Sequence, residues 1–127
     1  MKALAALAAS LLAAGSPAAA QPQGLSVADF LGRAQALVMG GGRVSADNPD
    51  LAILRDEVLA AGKAVRAQQA ADLAAGRPAN YCLPANAGTS PPEIIQHLMK
   101  IPAAQRSLPF RQAFADYAKA KYPCPAR

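Results

Sequence analysis

Apolar residues in the first half of the chain recur at three- and four-residue steps, which is the period of an α-helix. Ser26 is the expected N-cap of the first such segment. Glycines at 40–42 predict its end, because glycine readily adopts the left-handed conformation that closes a helix. The repeating apolar positions between these two signals are Phe30, Leu31, Ala34, Leu37 and Val38.

A second, longer helix is predicted to begin after Asn48, its expected cap, with Pro49 in the first turn, and to run to about Ala75. Gly62 falls in the middle of this helix, where glycine costs up to about 1 kcal/mol relative to alanine. It therefore either lets another helix approach closely or marks a bend. The apolar stripe of the helix consists of Leu51, Leu54, Val58, Ala61 and Val65.

The last third of the chain predicts two short helices joined by a turn. The segment 90–93, Ser-Pro-Pro-Glu, has the form of a capping box at the start of the first helix, and Pro102 is expected to end it. The second helix is predicted between Pro109 and Tyr122. Since a short connection makes two helices antiparallel, the end of the second should return beside the start of the first. The buried positions expected in this hairpin are Ile94, Ile95, Leu98, Ile101, Phe110, Ala113, Phe114 and Tyr117.

With no convincing strand in the sequence, the predicted fold is all-α. It is a small bundle of about four helices that ends in the helical hairpin.

The first twenty residues have the pattern of a secretory signal peptide. Lys2 precedes an apolar run, a helix-breaking segment at 15–17 and an Ala-rich ending, which together predict cleavage after Ala20. The apolar run is shorter than the roughly 20 residues that span a bilayer, so no membrane span is expected. The expected organisation is a signal peptide over 1–20 and a single helical domain over 21–127, exported to the periplasm. The alternative is an alanine-rich helix at the start of the mature chain.

The chain has two cysteines: Cys82 comes before the start of the predicted hairpin, and Cys124 comes just after its end. The hairpin brings them close together, and an even pair in an oxidising compartment is expected to form a disulfide. The bridge would close a loop of about 41 residues and contribute roughly 3.9 kcal/mol. The alternative is a catalytic thiol, but paired cysteines in exported proteins rarely stay reduced.

Candidates for catalysis or metal binding are few. His97 is the only histidine, so a metal site would lack a second imidazole, and it is expected at the edge of the core or exposed beside it. Asp56 and Glu57 are adjacent on a helix and point about 100° apart, so we expect two solvated charges rather than an acid–base pair. The sequence therefore predicts no enzyme, no cofactor and no metal.

Basic residues are concentrated at the end of the chain. From position 100 onward there are six basic residues and one acidic residue, Asp116. This bias can attract an acidic partner, or it can be the solvated face of a helix. No aromatic and basic binding motif is present, so nucleic acid is not an expected partner.

Residues around the two cysteines carry a resemblance to a known family. Tyr-Cys-Leu-Pro at 81–84, Thr89 before an apolar helix, Pro102 with Arg106, and Tyr-Pro-Cys at 122–124 resemble the pattern of the Rap/Tai immunity proteins. That pattern is an aromatic-Cys-x-Pro, a Val-Thr helix start, a Pro-x-x-Arg and a closing aromatic-Pro-Cys. The family's upstream cysteine and Gly-x-x-Asp-Ala-like motif have no counterpart here, where residues 62–66 read GKAVR.

The resemblance implies a small, exported, all-helical protein that binds and neutralises a peptidoglycan amidase effector delivered by type VI secretion. A homodimer is a further candidate assembly. The alternative is a periplasmic housekeeping or chaperone-like helical protein with no toxin partner. Such a protein would be similar to acid-stress chaperones, which are small, helical and closed by one disulfide. The candidate partner-binding residues belong to the loop before the hairpin and to the last helix: Ala85, Asn86, Ala87, Gly88, Thr89, Arg111 and Lys119.

Overall fold

The computed structural model describes residues 24–40 and 43–125, and these residues form helices without a β-strand. This confirms the predicted all-α bundle. None of the described helices combines the length and the apolar character that crossing a membrane requires. The predicted signal peptide, with its cleavage after Ala20, lies outside the described residues. The helices are α1 (Val27–Met39), α2 (Pro49–Ala74), α3 (Pro91–Met99) and α4 (Phe110–Lys121), with one turn of 3₁₀ helix at Ala103–Gln105.

Side-chain caps start the first two helices, as predicted. The Ser26 hydroxyl accepts a hydrogen bond of 3.0 Å from the backbone N–H of Asp29, and the Asn48 amide oxygen accepts one of 2.9 Å from Asp50. Each bond satisfies one of the backbone donors that have no partner inside the helix. Local sequence therefore decides where α1 and α2 begin.

The capping box predicted at the start of α3 is wrong. Ser90 precedes the helix, but its side chain makes no capping hydrogen bond. The Glu93 carboxylate instead accepts bonds from Tyr117 and Lys121 of α4. An ammonium donor gives a stronger, charge-assisted bond than the backbone N–H that a capping box would use. Glu93 thus joins α3 to α4 rather than closing its own helix turn. The helix also ends at Met99, before Pro102.

Aromatic side chains of α4 form the centre of the core. Phe110 is completely buried and stacks on Phe30 of α1, with ring centroids 4.1 Å apart. Phe114 and Tyr117 continue the aromatic row along α4. This row lets α4 contact all three other helices. The buried apolar residues are Val27, Phe30, Leu54, Ala61, Val65, Tyr81, Ile94, Leu98, Phe110, Ala113, Phe114, Tyr117 and Ala118. The predicted core positions Leu51, Val58, Ile95 and Ile101 are half-buried.

The start of α1 is attached to the connection between α3 and α4. The backbone N–H groups of Val27 and Ala28 donate to the carbonyls of Leu108 and Arg106, both at 2.8 Å. The N–H of Phe110 donates in return to the carbonyl of Leu25, also at 2.8 Å. These bonds satisfy free donors at the start of a helix and fix the position of α1 against the hairpin.

The prediction that Glu57 is a solvated charge is wrong, whereas Asp56 is exposed as expected. The Glu57 side chain is 8% exposed, and the Arg111 guanidinium donates to its Oε1 at 3.2 Å. A buried carboxylate requires such a partner because leaving water is costly for a charge. Gly24, at a φ of +75°, packs against this carboxylate so closely that a Cβ there would lie 2.1 Å from Oε1.

The predicted disulfide between Cys82 and Cys124 is confirmed, and its Cα atoms are 4.9 Å apart. The backbone N–H of Cys82 also donates to the carbonyl of Tyr122 at 2.8 Å. The end of α4 is therefore held beside the segment that leads into the loop before α3.

We expect Cys82→Ser to lower the free energy of unfolding by about 4 kcal/mol, because the unfolded chain is no longer cross-linked. Chemical denaturation of the oxidised proteins measures this loss. A reducing agent should destabilise the wild type by a similar amount and leave the variant unchanged. A variant that unfolds at the same denaturant concentration as the oxidised wild type would show that the bridge does not support the fold.

We expect Arg111→Ala to cost about 1–3 kcal/mol, because it leaves the Glu57 carboxylate buried without its donor. Arg111→Lys keeps the charge and should recover part of the loss. In a double-mutant cycle with Glu57→Gln, measured by urea denaturation, the two changes should be less damaging together than the sum of each alone. Simple additivity would contradict the pairing.

Candidate functional site

The outer face of α2 is the floor of an apolar trough, here called the α2 trough, and the loop 83–90 forms the wall of one part of it. One part of it is a groove of about 460 Å³ between α1, α2 and the start of α3, lined by Val38, Leu59 and Ile95 among others. The other part is a pit of about 50 Å³ beside Gly62 and the loop. Thr89 lines both parts, so they adjoin at the end of the loop.

Four residues of α2 form the floor of the trough. Arg55, Leu59, Gly62 and Arg66 follow one another at steps of four, three and four residues, which places them on one face of the helix. Leu59 is 57% exposed on this face. The sequence prediction considered only the neighbouring buried stripe and missed this one. The helical spacing of the four residues was the signal that could have revealed it.

The loop wall is held in place by side chains from two helices. Gln69 of α2 pairs with the backbone of Leu83, accepting from its N–H at 2.8 Å and donating to its carbonyl at 3.5 Å. Arg66 donates to the carbonyl of Ala87 at 3.0 Å. Tyr122, at the end of α4, donates to the carbonyl of Gly88 at 3.4 Å. Together with the disulfide, these bonds fix the loop against α2.

One of the two interpretations of Gly62, that it lets another helix pack closely against α2, is wrong. A Cβ at this position would have no atom within 4 Å other than its own helix backbone and chain neighbours. The glycine lies instead at the open pit, which Tyr117 of α4 and Tyr122, the residue after α4, line on the far side.

The charged side chains that line the trough are arginines. Arg66 lines the pit and Arg55 lines the groove, and both are exposed. Over the part of the chain that the structure describes, no carboxylate lines either one. Lys121 lies behind the pit, with its ammonium 5.7 and 5.6 Å from the ring centroids of Tyr117 and Tyr122, and its charge is paired with the Glu93 carboxylate. The trough therefore combines apolar walls with positive charge.

A cluster of three polar side chains ties α3 to α4 behind the pit. The Tyr117 hydroxyl donates to Glu93 Oε2 at 2.9 Å, the Lys121 ammonium donates to the same oxygen, and Lys121 approaches the tyrosine oxygen at 3.2 Å. The bond from Lys121, followed by that from Tyr117, lowers the pKa of Glu93. The bond to Glu93 raises the pKa of Lys121. Burial, with the bond to Glu93 as the second cause, raises the pKa of Tyr117. The ion pair is therefore formed throughout the neutral range.

The structure separates the candidate partner-binding residues into two groups. Of the loop residues 85–89, Ala87, Gly88 and Thr89 line the trough and the other two do not, and all except Ala87 are exposed. Arg111 lies in the first turn of α4, at the end away from Tyr122 and the loop, and pairs with Glu57. Lys119 is exposed on the last turns of α4. The loop is thus brought beside Gly62 and Arg66 of α2, not beside Arg111.

A second apolar groove follows the other flank of α1. It has a volume of about 670 Å³ and extends from Ala28 to Val38, with Met99 of α3 on the opposite side. Val38, Met39 and Met99 are 79%, 74% and 57% exposed. Its arginine, Arg106, donates to the carbonyls of Ile101 and Met99. This groove is apolar and its cation is bonded to the backbone.

His97 lies half-buried at the edge of the core, as expected, with its ring edge-on to Tyr117 at 5.7 Å between centroids. Within residues 24–40 and 43–125, no three His, Cys, Asp or Glu side chains are grouped so as to hold a metal ion. The α2 trough is therefore suited to binding a partner through its shape, its apolar contacts and its positive charge.

Comparison of the chain with protein-family models, with curated proteins and with solved structures finds no match in any of the three.

We expect Glu93→Gln to change the acid side of the stability profile. A carboxylate with a lowered folded-state pKa stabilises the fold above its unfolded pKa of about 4.3, and this contribution is lost as the pH falls through the folded-state value. The difference in Tm between wild type and variant should therefore shrink between pH 6 and pH 3. Asp116→Asn, at an exposed carboxylate of the same hairpin, is the control. A difference in Tm that stays constant over this range would contradict the role of Glu93.

Proposed function

We propose that this protein is exported to the periplasm, where it binds and inhibits a peptidoglycan amidase effector, as an immunity protein of the Rap/Tai type. The resemblance over residues 81–124 and the signal-like N-terminal segment support the compartment and the partner class. The structural observation that carries the proposal is the fixed loop 83–90 beside the α2 trough. A surface that is already ordered loses little conformational entropy on binding, which favours tight complexes.

The loop has a composition suited to blocking an enzyme cleft. Residues 85–89 read Ala-Asn-Ala-Gly-Thr, so their side chains are short, and most of them are exposed. Arg66 and Tyr122 hold the loop through its backbone carbonyls, so the side chains of the loop take no part in these two bonds. In the proposed complex, this loop and the trough beside it contact the amidase and exclude its peptidoglycan substrate.

One observation favours a chaperone-like function as the alternative. Val38 and Met39 of α1 and Met99 of α3 are exposed at the larger groove. Apolar surface of this kind is what a periplasmic chaperone uses to hold unfolded clients. A chaperone would bind many partners weakly, whereas an immunity protein would bind one partner in a fixed ratio.

The first test is a pull-down with the full chain, produced by export and kept oxidised, from periplasmic and secreted extracts at neutral and acid pH. The expected result is one stoichiometric partner with cell-wall hydrolase activity. Peptidoglycan cleavage by that purified partner should fall to background at a one-to-one ratio. Many weak clients that bind only at acid pH would overturn the immunity function in favour of the chaperone.

The second test compares two glycines that both have open space around them. Neither Gly88 in the loop nor Gly32 on α1 has an atom within 4 Å of an added Cβ, so glutamine should be accommodated at either position. Gly88→Gln should weaken inhibition of the partner at least tenfold because it adds bulk to the contacting loop. Gly32→Gln should inhibit like the wild type. Equal inhibition by both variants would exclude the loop from the interface.

A further inference from the structure

Neither helix stability nor packing explains why residue 62 is a glycine. In the interior of a helix, glycine is less favourable than alanine by about 1 kcal/mol. Gly62 has no positive φ to accommodate, and an added Cβ would meet nothing within 4 Å. A residue that breaks a local preference without a gain in packing points to a functional position. Gly62 therefore calls for an explanation outside the stability of this chain.

The glycine keeps the pit of the α2 trough open. The pit holds about 50 Å³, lies between Gly62, Gly88 and the Tyr122 ring, and is lined on one side by Arg66. One water molecule has about 30 Å³ of liquid volume, so the pit has room for a small group such as the side chain of alanine or serine. A leucine at position 62 would occupy that space.

Positive charges lie at both ends of the trough floor. Arg55 and Arg66 are eleven residues apart on α2, which corresponds to about 16 Å along the helix. Leu59 and Gly62 lie between them, and among the described residues the trough is lined by no carboxylate. Arg66 gives one N–H group to the Ala87 carbonyl, and a guanidinium has five N–H donors in total.

We infer that the α2 trough receives a segment of a protein partner that is both acidic and apolar. A small side chain of that segment enters the pit over Gly62, apolar side chains contact Leu59 and the groove, and carboxylates at the two ends pair with Arg55 and Arg66. The span of about 16 Å places these carboxylates about eleven residues apart in a helical segment or about five apart in an extended one. The inference rests on the proposed function for the identity of the partner, but the chemistry of the site follows from the trough alone.

The test is a selection of random peptides, displayed on phage, against the oxidised full chain produced by export. Enriched peptides are then synthesised, and their Kd values are measured by fluorescence anisotropy. The expected consensus is a small residue between apolar positions, flanked by Asp or Glu at one of the two spacings above. Gly62→Leu and Arg55→Glu should each raise the Kd at least tenfold.

Two control variants separate loss of the site from loss of the fold. Gly62→Ala should raise Tm, because alanine favours the helix, and should raise the Kd by less than Gly62→Leu does, because one methyl group occupies only part of the pit. Lys100→Glu reverses an exposed charge at the end of α3, outside the trough, and should leave the Kd unchanged. The inference would be overturned if no peptide is enriched or if the enriched peptides are basic. It would also be overturned if they bind Gly62→Leu as tightly as they bind the wild type.

The outcomes for the trough and for the proposed function are distinguishable. If a captured amidase is inhibited equally by wild type and by Gly62→Leu, the function stands and the assignment of the trough fails. If acidic peptides bind at the trough but no cell-wall hydrolase is inhibited, the trough stands and the immunity function fails.

Discussion

The disulfide between Cys82 and Cys124 is the constraint on which the second half of the chain depends. The segment that it closes contains α3 and α4, which supply more than half of the buried apolar side chains. A domain with a core this small has a small free energy of unfolding, so a cross-link that restricts the unfolded chain supplies a large share of it. The hydrogen bond from Cys82 to the Tyr122 carbonyl adds a direct link at the same point.

The same bridge also places the surface to which we assign binding. It fixes the start of the loop 83–90 at the end of α4, and Gln69 and Arg66 then attach the loop to α2. The pit of the trough exists because these contacts hold the loop near α2 while Gly62 leaves the space between them open. The bonds that hold the loop in place therefore lie directly beside the open pit at Gly62.

Features that depend on neighbouring residues could be predicted from the sequence. Ser26 and Asn48 cap their helices because a short polar side chain needs only the N–H groups two or three residues away. The apolar period gave the helices, and the antiparallel hairpin brought the two cysteines together. At Ser90 the same reasoning failed, because Lys121, 28 residues beyond Glu93, provides that carboxylate with a charged donor.

The sequence by itself determined the all-helical class, the helix starts at Ser26 and Asn48 and the pairing of the cysteines, since each follows from local spacing or from a short hairpin. Only the tertiary structure decided that Glu57 is buried against Arg111, 54 residues away, and that Gly62 faces an open pit. Helix periodicity tells which residues share a face. Which face is covered, and by which side chain, depends on how distant segments pack, because burial and ion pairing are set by three-dimensional neighbours.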